Sequence, residues 1–181
     1  MQNEYFTFFK ETTYKGFKVR DIMRRTKIVE QLEANPYMFL PYTIQNDEKA
    51  EDIAYDYYGD PHLVWLVYLA NGIINPYEDW IMDNSTFFNY LTMKYKEQSN
   101  ATSHGIIQWC QNNVEFYINE DQVRITKDTY ELSPDIIKAE WTPITTYAHE
   151  EWKNESKRNI RLVNANLKDQ AIAELRKALN V

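Results

Sequence analysis

The chain has 181 residues, 44% hydrophobic and 15% aromatic, enough for one ordinary domain, or a small domain with extensions, around a genuine core. Its net charge of −7 and pI near 5.0 exclude the basic field expected of a nucleic-acid binder. Cys110, the single cysteine, excludes an intramolecular disulfide, and the longest apolar run, Leu63 to Ala70, falls far short of the roughly 20 residues of a membrane span.

The opening MQNEYFTFFKETTYKGF lacks a basic n-region and a continuous apolar stretch, so no signal peptide is expected and synthesis in the cytoplasm is. Residues Tyr5 to Ile22 read as extended, on alternations such as Phe17-Lys18-Val19-Arg20. Asp21 caps an expected helix through Ile22, Met23, Ile28, Val29 and Leu32, which ends before Asn35-Pro36 because the residue ahead of a proline disfavours helix. Arg24, Arg25 and Lys27 give that helix a positive face, either plain solvated surface or a docking site for an acidic partner.

Leu40 to Ile44 predicts a strand, and Asp47 the N-cap of a helix to about Tyr57 that buries Ala50, Ile53, Ala54 and Tyr57. Gly59 ends this helix and Asp60-Pro61 starts another. That second helix, Leu63 to Ala70, is apolar all round, where a surface helix needs only one stripe. Trp65, Tyr68 and Leu69 cannot all enter the core of so small a module; they are expected to lie under the chain's own extensions or another protein. Asn71-Gly72 turns the chain, and Ile73-Ile74 is expected to begin a second strand ahead of Asn75-Pro76-Tyr77 and Trp80.

A helix from Phe87 to Tyr95, capped by Ser85, precedes a polar loop from Glu97 to Gly105. Three β-leaning segments follow, Ile106 to Trp109, Val114 to Ile118 and Val123 to Tyr130, separated by Asn-rich turns. Ile144 to Tyr147 and Ile160 to Val163 read as extended, with the charged stretch Glu150 to Arg158 between them. Asn166 caps a final helix whose stripe is Leu167, Ala171, Ile172, Leu175 and Leu179. The fold class is α+β, divided into an arm (1–35), a module (36–85) and an extension with a terminal helix (86–181).

Chemistry finds little footing. His62, His104 and His149 are scattered, so no metal site is expected, and Cys110 lacks the local signature of a nucleophile. The carboxylate pairs Asp52/Asp56 and Glu78/Asp79 read as solvated surface, and no Gly-rich phosphate loop exists. No catalytic residue, cofactor or enzyme activity is expected. The tyrosines near Tyr55, Tyr57 and Tyr58 suit sugar stacking or simple packing equally.

Ile53-Ala54, Tyr58-Gly59 and Leu69-Ala70-Asn71 make residues 42–73 similar to a LysM module. The first loop departs, with Asp47-Glu48-Lys49-Ala50 where glycan-binding modules carry Gly-Asp-Thr-Leu. The alternative this resemblance implies is a peptidoglycan-binding protein with a groove at Gln45, Asn46, Asp47, Asn71 and Gly72; the altered loop argues against glycan. A cell-wall hydrolase would need an attached catalytic domain.

A longer pattern, Asp21-Ile22-Met23-Arg24-Arg25, then Tyr58-Gly59-Asp60-Pro61 with Trp65 and Asn71, then Pro76-Tyr77 and Trp80, resembles the LysM-bearing baseplate wedge subunit of contractile-tailed (myovirus-type) phages. That resemblance implies a LysM-like βααβ module with an N-terminal arm and C-terminal strand and helix extensions. It implies a structural part of the virion's tail baseplate, assembled in the host cytoplasm and clamping neighbouring wedge subunits around the hub. Partners would be other wedge proteins, with hub or tail-tube-proximal proteins beyond them, and neither nucleic acid nor membrane. The residues expected to meet partners are Arg24, Arg25, Trp65, Tyr68, Leu69, Asn71, Pro76, Tyr77 and Trp80.

Overall fold

The structure, a computed structural model, describes residues 4–22, 35–45, 48–99 and 103–179. Arg24, Arg25, the body of the helix expected after Asp21, and Asn46 and Asp47 lie outside the described residues. Helices and short antiparallel strands mix throughout, an α+β chain. Two compact units form, one from residues up to Trp80 together with those from Arg158 on, the other from Ile81–Lys157. This division differs from the spans 1–35, 36–85 and 86–181, because the C-terminus returns to pair with the first unit.

In chain order, a 3-10 turn at Tyr5–Phe8 leads into a hairpin of β1 (Glu11–Tyr14) and β2 (Phe17–Arg20). Its two-residue turn, Lys15-Gly16, has positive φ at both positions (50° and 84°), which suits the twist of a tight hairpin. β3 (Phe39–Thr43) and α1 (Ala50–Tyr58) follow. Gly59, at φ 75°, closes α1, its amide donating to the Tyr55 carbonyl. The Asp60 carboxylate accepts the His62 amide, and Pro61 opens a 3-10 turn that runs into α2 (Val64–Asn71).

Beyond one helical turn at Pro76–Asp79 come α3 (Asn84–Lys94), α4 (Ser103–Asn112), β4 (Val114–Ile118), β5 (Arg124–Ile125), α5 (Lys127–Leu132), β6 (Thr142–Thr145) and α6 (Thr146–Ser156). The chain closes with β7 (Asn159–Val163) and α7 (Lys168–Leu179).

The second strand expected at Ile73-Ile74 is not one. β3 pairs instead with β7, antiparallel, from Phe39↔Val163 to Thr43↔Asn159. Arg158 extends the pairing, its carbonyl accepting the Ile44 amide and its guanidinium donating to the Ile44 carbonyl, both at 2.9 Å. Ile73-Ile74 cannot serve because Asn75-Pro76 starts a helical turn immediately, and the Asp79 carboxylate takes the amides of Ile74 and Asn75. The centre of the first unit is thus strand, helix, helix, strand (β3, α1, α2, β7), and the whole second unit, Ile81–Lys157, is inserted in the chain between α2 and β7. Ile53, Leu63, Leu66, Val67, Leu162 and Val163 are all but fully buried in it, each worth about 1.5–3 kcal/mol relative to exposure. α7 adds Ala171, Ile172, Leu175 and Leu179 to this unit's core; its entry is capped by Asn164, through a 3-10 turn at Ala165–Leu167, rather than by Asn166.

In the second unit, Asp83 rather than Ser85 caps α3, accepting the Thr86 amide at 2.8 Å. Ile106 to Trp109, expected as a strand, lies inside α4, and part of the expected loop from Glu97 is helical. The reason is spacing: Ile106 and Cys110, four apart, meet Phe87, Leu91 and Tyr95 of the α3 segment in one buried cluster. Val123 to Tyr130 is strand only at Arg124–Ile125, because Thr126 caps α5. The charged stretch from Glu150 belongs to α6, capped by Thr145, which ends the extended segment. The sheet order is β5-β4-β6.

Candidate interaction surfaces

The apolar helix α2 is largely interior. Trp65 keeps only 7% of its surface, and its covers are the rings of Tyr5 and Phe8 from the N-terminal arm, at 5.8 and 5.5 Å. Tyr68 and Leu69 are half-buried. Tyr68 meets the Trp80 indole edge-on at 6.0 Å, and burial raises its phenol above the usual range, followed by the charge of Glu51. Trp80 is itself tied down, its indole N–H donating to the Glu48 carbonyl at 3.2 Å. Of the alternatives left open for this helix, cover by the chain's own extension holds for Trp65.

Asn71 works inside the fold. Its amide nitrogen donates to the carbonyls of Val67 and Arg161 at 2.8 and 2.9 Å, and its oxygen accepts the Arg161 amide at 2.8 Å. Arg161 answers by donating Nε–H to the Ala70 carbonyl at 2.6 Å and lying 4.1 Å over the Phe39 ring. The end of α2 is thereby locked to β7. Gly72 is its left-handed C-cap, and the exposed Gln45 donates its side chain to the Thr43 carbonyl. Of the groove residues a glycan would need, Asn71 has both amide hydrogens engaged by backbone.

Residues 73–80 differ. Ile74 and Tyr77 keep 77% and 89% of their surfaces, although the backbone that carries them is fixed. The Asp79 carboxylate accepts two amides, Asn75 Oδ1 accepts the Tyr77 amide, and the amides of Glu78 and Asp79 donate back to the Asn75 carbonyl. Pro76 is half-buried. Nothing internal is gained by holding two large side chains in water on a rigid turn, whereas an association surface gains preorganisation. Ile74 was missed from sequence, where it read as a strand residue.

The hairpin is a second exposed surface. Tyr14 and Phe17, directly opposed across the ladder, are exposed at 62% and 74%, with Val19 beside them. The alternation around Lys15-Gly16 was visible in sequence, but not that this face would stay open.

The second unit contains the deepest polar centre. Glu150 is only 2% exposed. Its Oε1 accepts from Lys94, Lys153 and Tyr95 at 3.1, 3.0 and 3.1 Å, and its Oε2 from Tyr90 at 3.0 Å. Burial alone would push the carboxyl up, but the hydrogen bonds from Lys153, Lys94 and Tyr90 overcome it and hold the group at about 2. Nearby Cys110 is buried, and that burial, then Glu150, pushes its thiol up, the opposite of a reactive thiolate. With every Glu150 oxygen engaged, this is an internal clasp of α3 and α6. Leu132, Ile136 and Trp152 are exposed on this unit.

Among the described residues no group of three His, Cys, Asp or Glu is placed to hold a metal, and no helix is long and apolar enough to cross a membrane. Against known proteins, the family model described as base plate wedge protein 53 matches residues 4–175. A relative, the baseplate wedge protein gp53 of Enterobacteria phage T4, is 27% identical over 123 residues, covering 63% of this chain. The chain spans about 61% of that relative's length.

Proposed function

Since this chain belongs to the base plate wedge protein 53 family, we propose that it is a structural component of a phage tail baseplate wedge, working in the virion by holding neighbouring wedge subunits together. The observation that carries this reading is the rigid turn of residues 74–79, which displays Ile74 and Tyr77 to solvent. Tyr77, with Pro76 at its base, anchors a neighbouring baseplate protein. Trp65, Tyr68, Leu69, Asn71 and Trp80 serve that surface from behind, by fixing α2 and the turn. Arg24 and Arg25 are assigned to the same partner-binding role on sequence grounds alone. Large aromatic side chains on preorganised backbone are the usual centres of permanent interfaces.

The β3–α1–α2–β7 arrangement further supports a LysM-like module whose second strand arrives from the far end of the chain. The module acts here as a protein-binding platform without chemistry of its own. The test is reconstitution: the purified chain is mixed with the other wedge proteins of its phage and followed by size-exclusion chromatography with light scattering. Co-elution that is lost in Tyr77→Ala is expected. A folded chain that stays free beside the full set of wedge proteins would overturn the reading.

A further inference from the structure

The β1–β2 hairpin has a face that the fold leaves unused. The register sets Tyr14 opposite Phe17 and Thr12 opposite Val19, so these four side chains share one face, while Glu11, Thr13, Lys18 and Arg20 share the other. An isolated two-stranded ribbon is only marginally stable in water, yet both strands are exposed along their whole length. What holds the ribbon is its base. The Arg20 guanidinium donates to the carbonyls of Thr7, Phe6 and Phe9 at 2.7, 3.2 and 3.3 Å, and the Asp21 amide donates to the Lys10 carbonyl at 3.1 Å. The base is anchored and the apolar face is presented.

The charge of the ribbon selects its partner. Residues 10–20 carry Lys10, Lys15, Lys18 and Arg20 against the single carboxylate of Glu11, on a chain whose net charge is −7. Lys10, Lys15 and Lys18 are exposed. We infer that the hairpin is a second docking element, laying its Tyr14–Phe17 face on an apolar strip, rimmed by carboxylates, of another baseplate protein. Exposed lysines beside an apolar face match a protein strip rimmed by carboxylates, whereas a phosphate polymer offers no apolar strip to Tyr14 and Phe17. A second copy of the chain is the poorer occupant, because ribbon against ribbon would bring Lys10, Lys15 and Lys18 of both copies together, like charge on like charge. Together with Ile74 and Tyr77 the hairpin gives the chain two separate partner surfaces, which is what holding two neighbours together requires. The inference rests on the baseplate reading above.

The experiment places a photo-crosslinking benzoylphenylalanine at position 17 in assembled phage, irradiates the particles and sequences the linked peptides. The expected product joins residue 17 to a segment of a different baseplate protein that combines apolar residues with aspartate or glutamate. Lys15→Glu with Lys18→Glu should lower its yield about tenfold, while Lys127→Glu in the second unit leaves it unchanged. Crosslinks confined to this chain, between two copies, or to lipid or nucleic acid would overturn the inference, as would none at all in particles that contain the protein. Absence of the chain from purified tails would instead remove the baseplate reading. Phe17→Ser, which should melt like the parent chain, separates lost docking from lost folding.

Discussion

Replacing Glu150 by Gln tests the polar clasp of the second unit. The carboxylate is 2% exposed and held at about 2, against an ordinary 4.5. That difference corresponds to stability on the order of 3 kcal/mol at neutral pH. A folded value below the unfolded one stabilises above pH 4.5, and the contribution fades as pH falls through 4.5 towards 2; by pH 3 roughly half of it remains. Stranded cations should not inflate the loss, because the Lys94 and Lys153 side chains are 41% and 45% exposed and can turn to water. The Tyr90 and Tyr95 hydroxyls bond different carboxylate oxygens, so in the glutamine one can still donate to the amide oxygen while the other accepts from the amide nitrogen. Urea unfolding followed by hydrogen exchange in α3 and α6 should therefore show Glu150→Gln destabilised by about 3 kcal/mol at pH 7, with the gap to the parent chain shrinking on acidification. A gap that stays constant from pH 7 to pH 3 would refute the argument, since it would mean that the charge itself contributes nothing.

Trp65→Ala should destabilise the first unit by about 3–5 kcal/mol, seen in a thermal melt of the isolated chain, because the indole is sealed by Tyr5 and Phe8 rather than by a partner. Asn71→Ala should cost about 2 kcal/mol and speed hydrogen exchange at the Arg161 amide, whose acceptor it removes. Tyr77→Ala should leave the melt within ~0.5 kcal/mol of the parent chain, since the ring is exposed, yet weaken wedge association by about 2 kcal/mol, measurable by titration against a partial wedge.

Local chemistry made much of the first unit readable. Gly59, Asp60-Pro61 and the stripe Ala50-Ile53-Ala54 act within a few residues of themselves, so spacing placed the bodies of α1 and α2 and separated them, although α1 is capped at Lys49 rather than Asp47 and buries Tyr58 rather than Tyr57. The same holds for β7 as a strand and for the stripe of α7. Locality failed where two signals competed. Ile106 and Trp109 suit a strand or a helix equally, and only the neighbouring side chains of α3 decide for helix. Ile73-Ile74 has strand chemistry, but the Asp79 carboxylate claims its amides for a turn.

Pairing lay further out of reach. β3 takes β7 from the opposite end of the chain, and hydrogen bonds of such separation leave no periodic trace in sequence. Exposure divided likewise. That α2 carried more apolar surface than one stripe needs was evident from composition, whereas which rings are covered, Trp65, and which stay open, Tyr77 and Phe17, follows from how the arm and the turn pack. Apolar content is a property of the residues, and burial is a property of their neighbours in space.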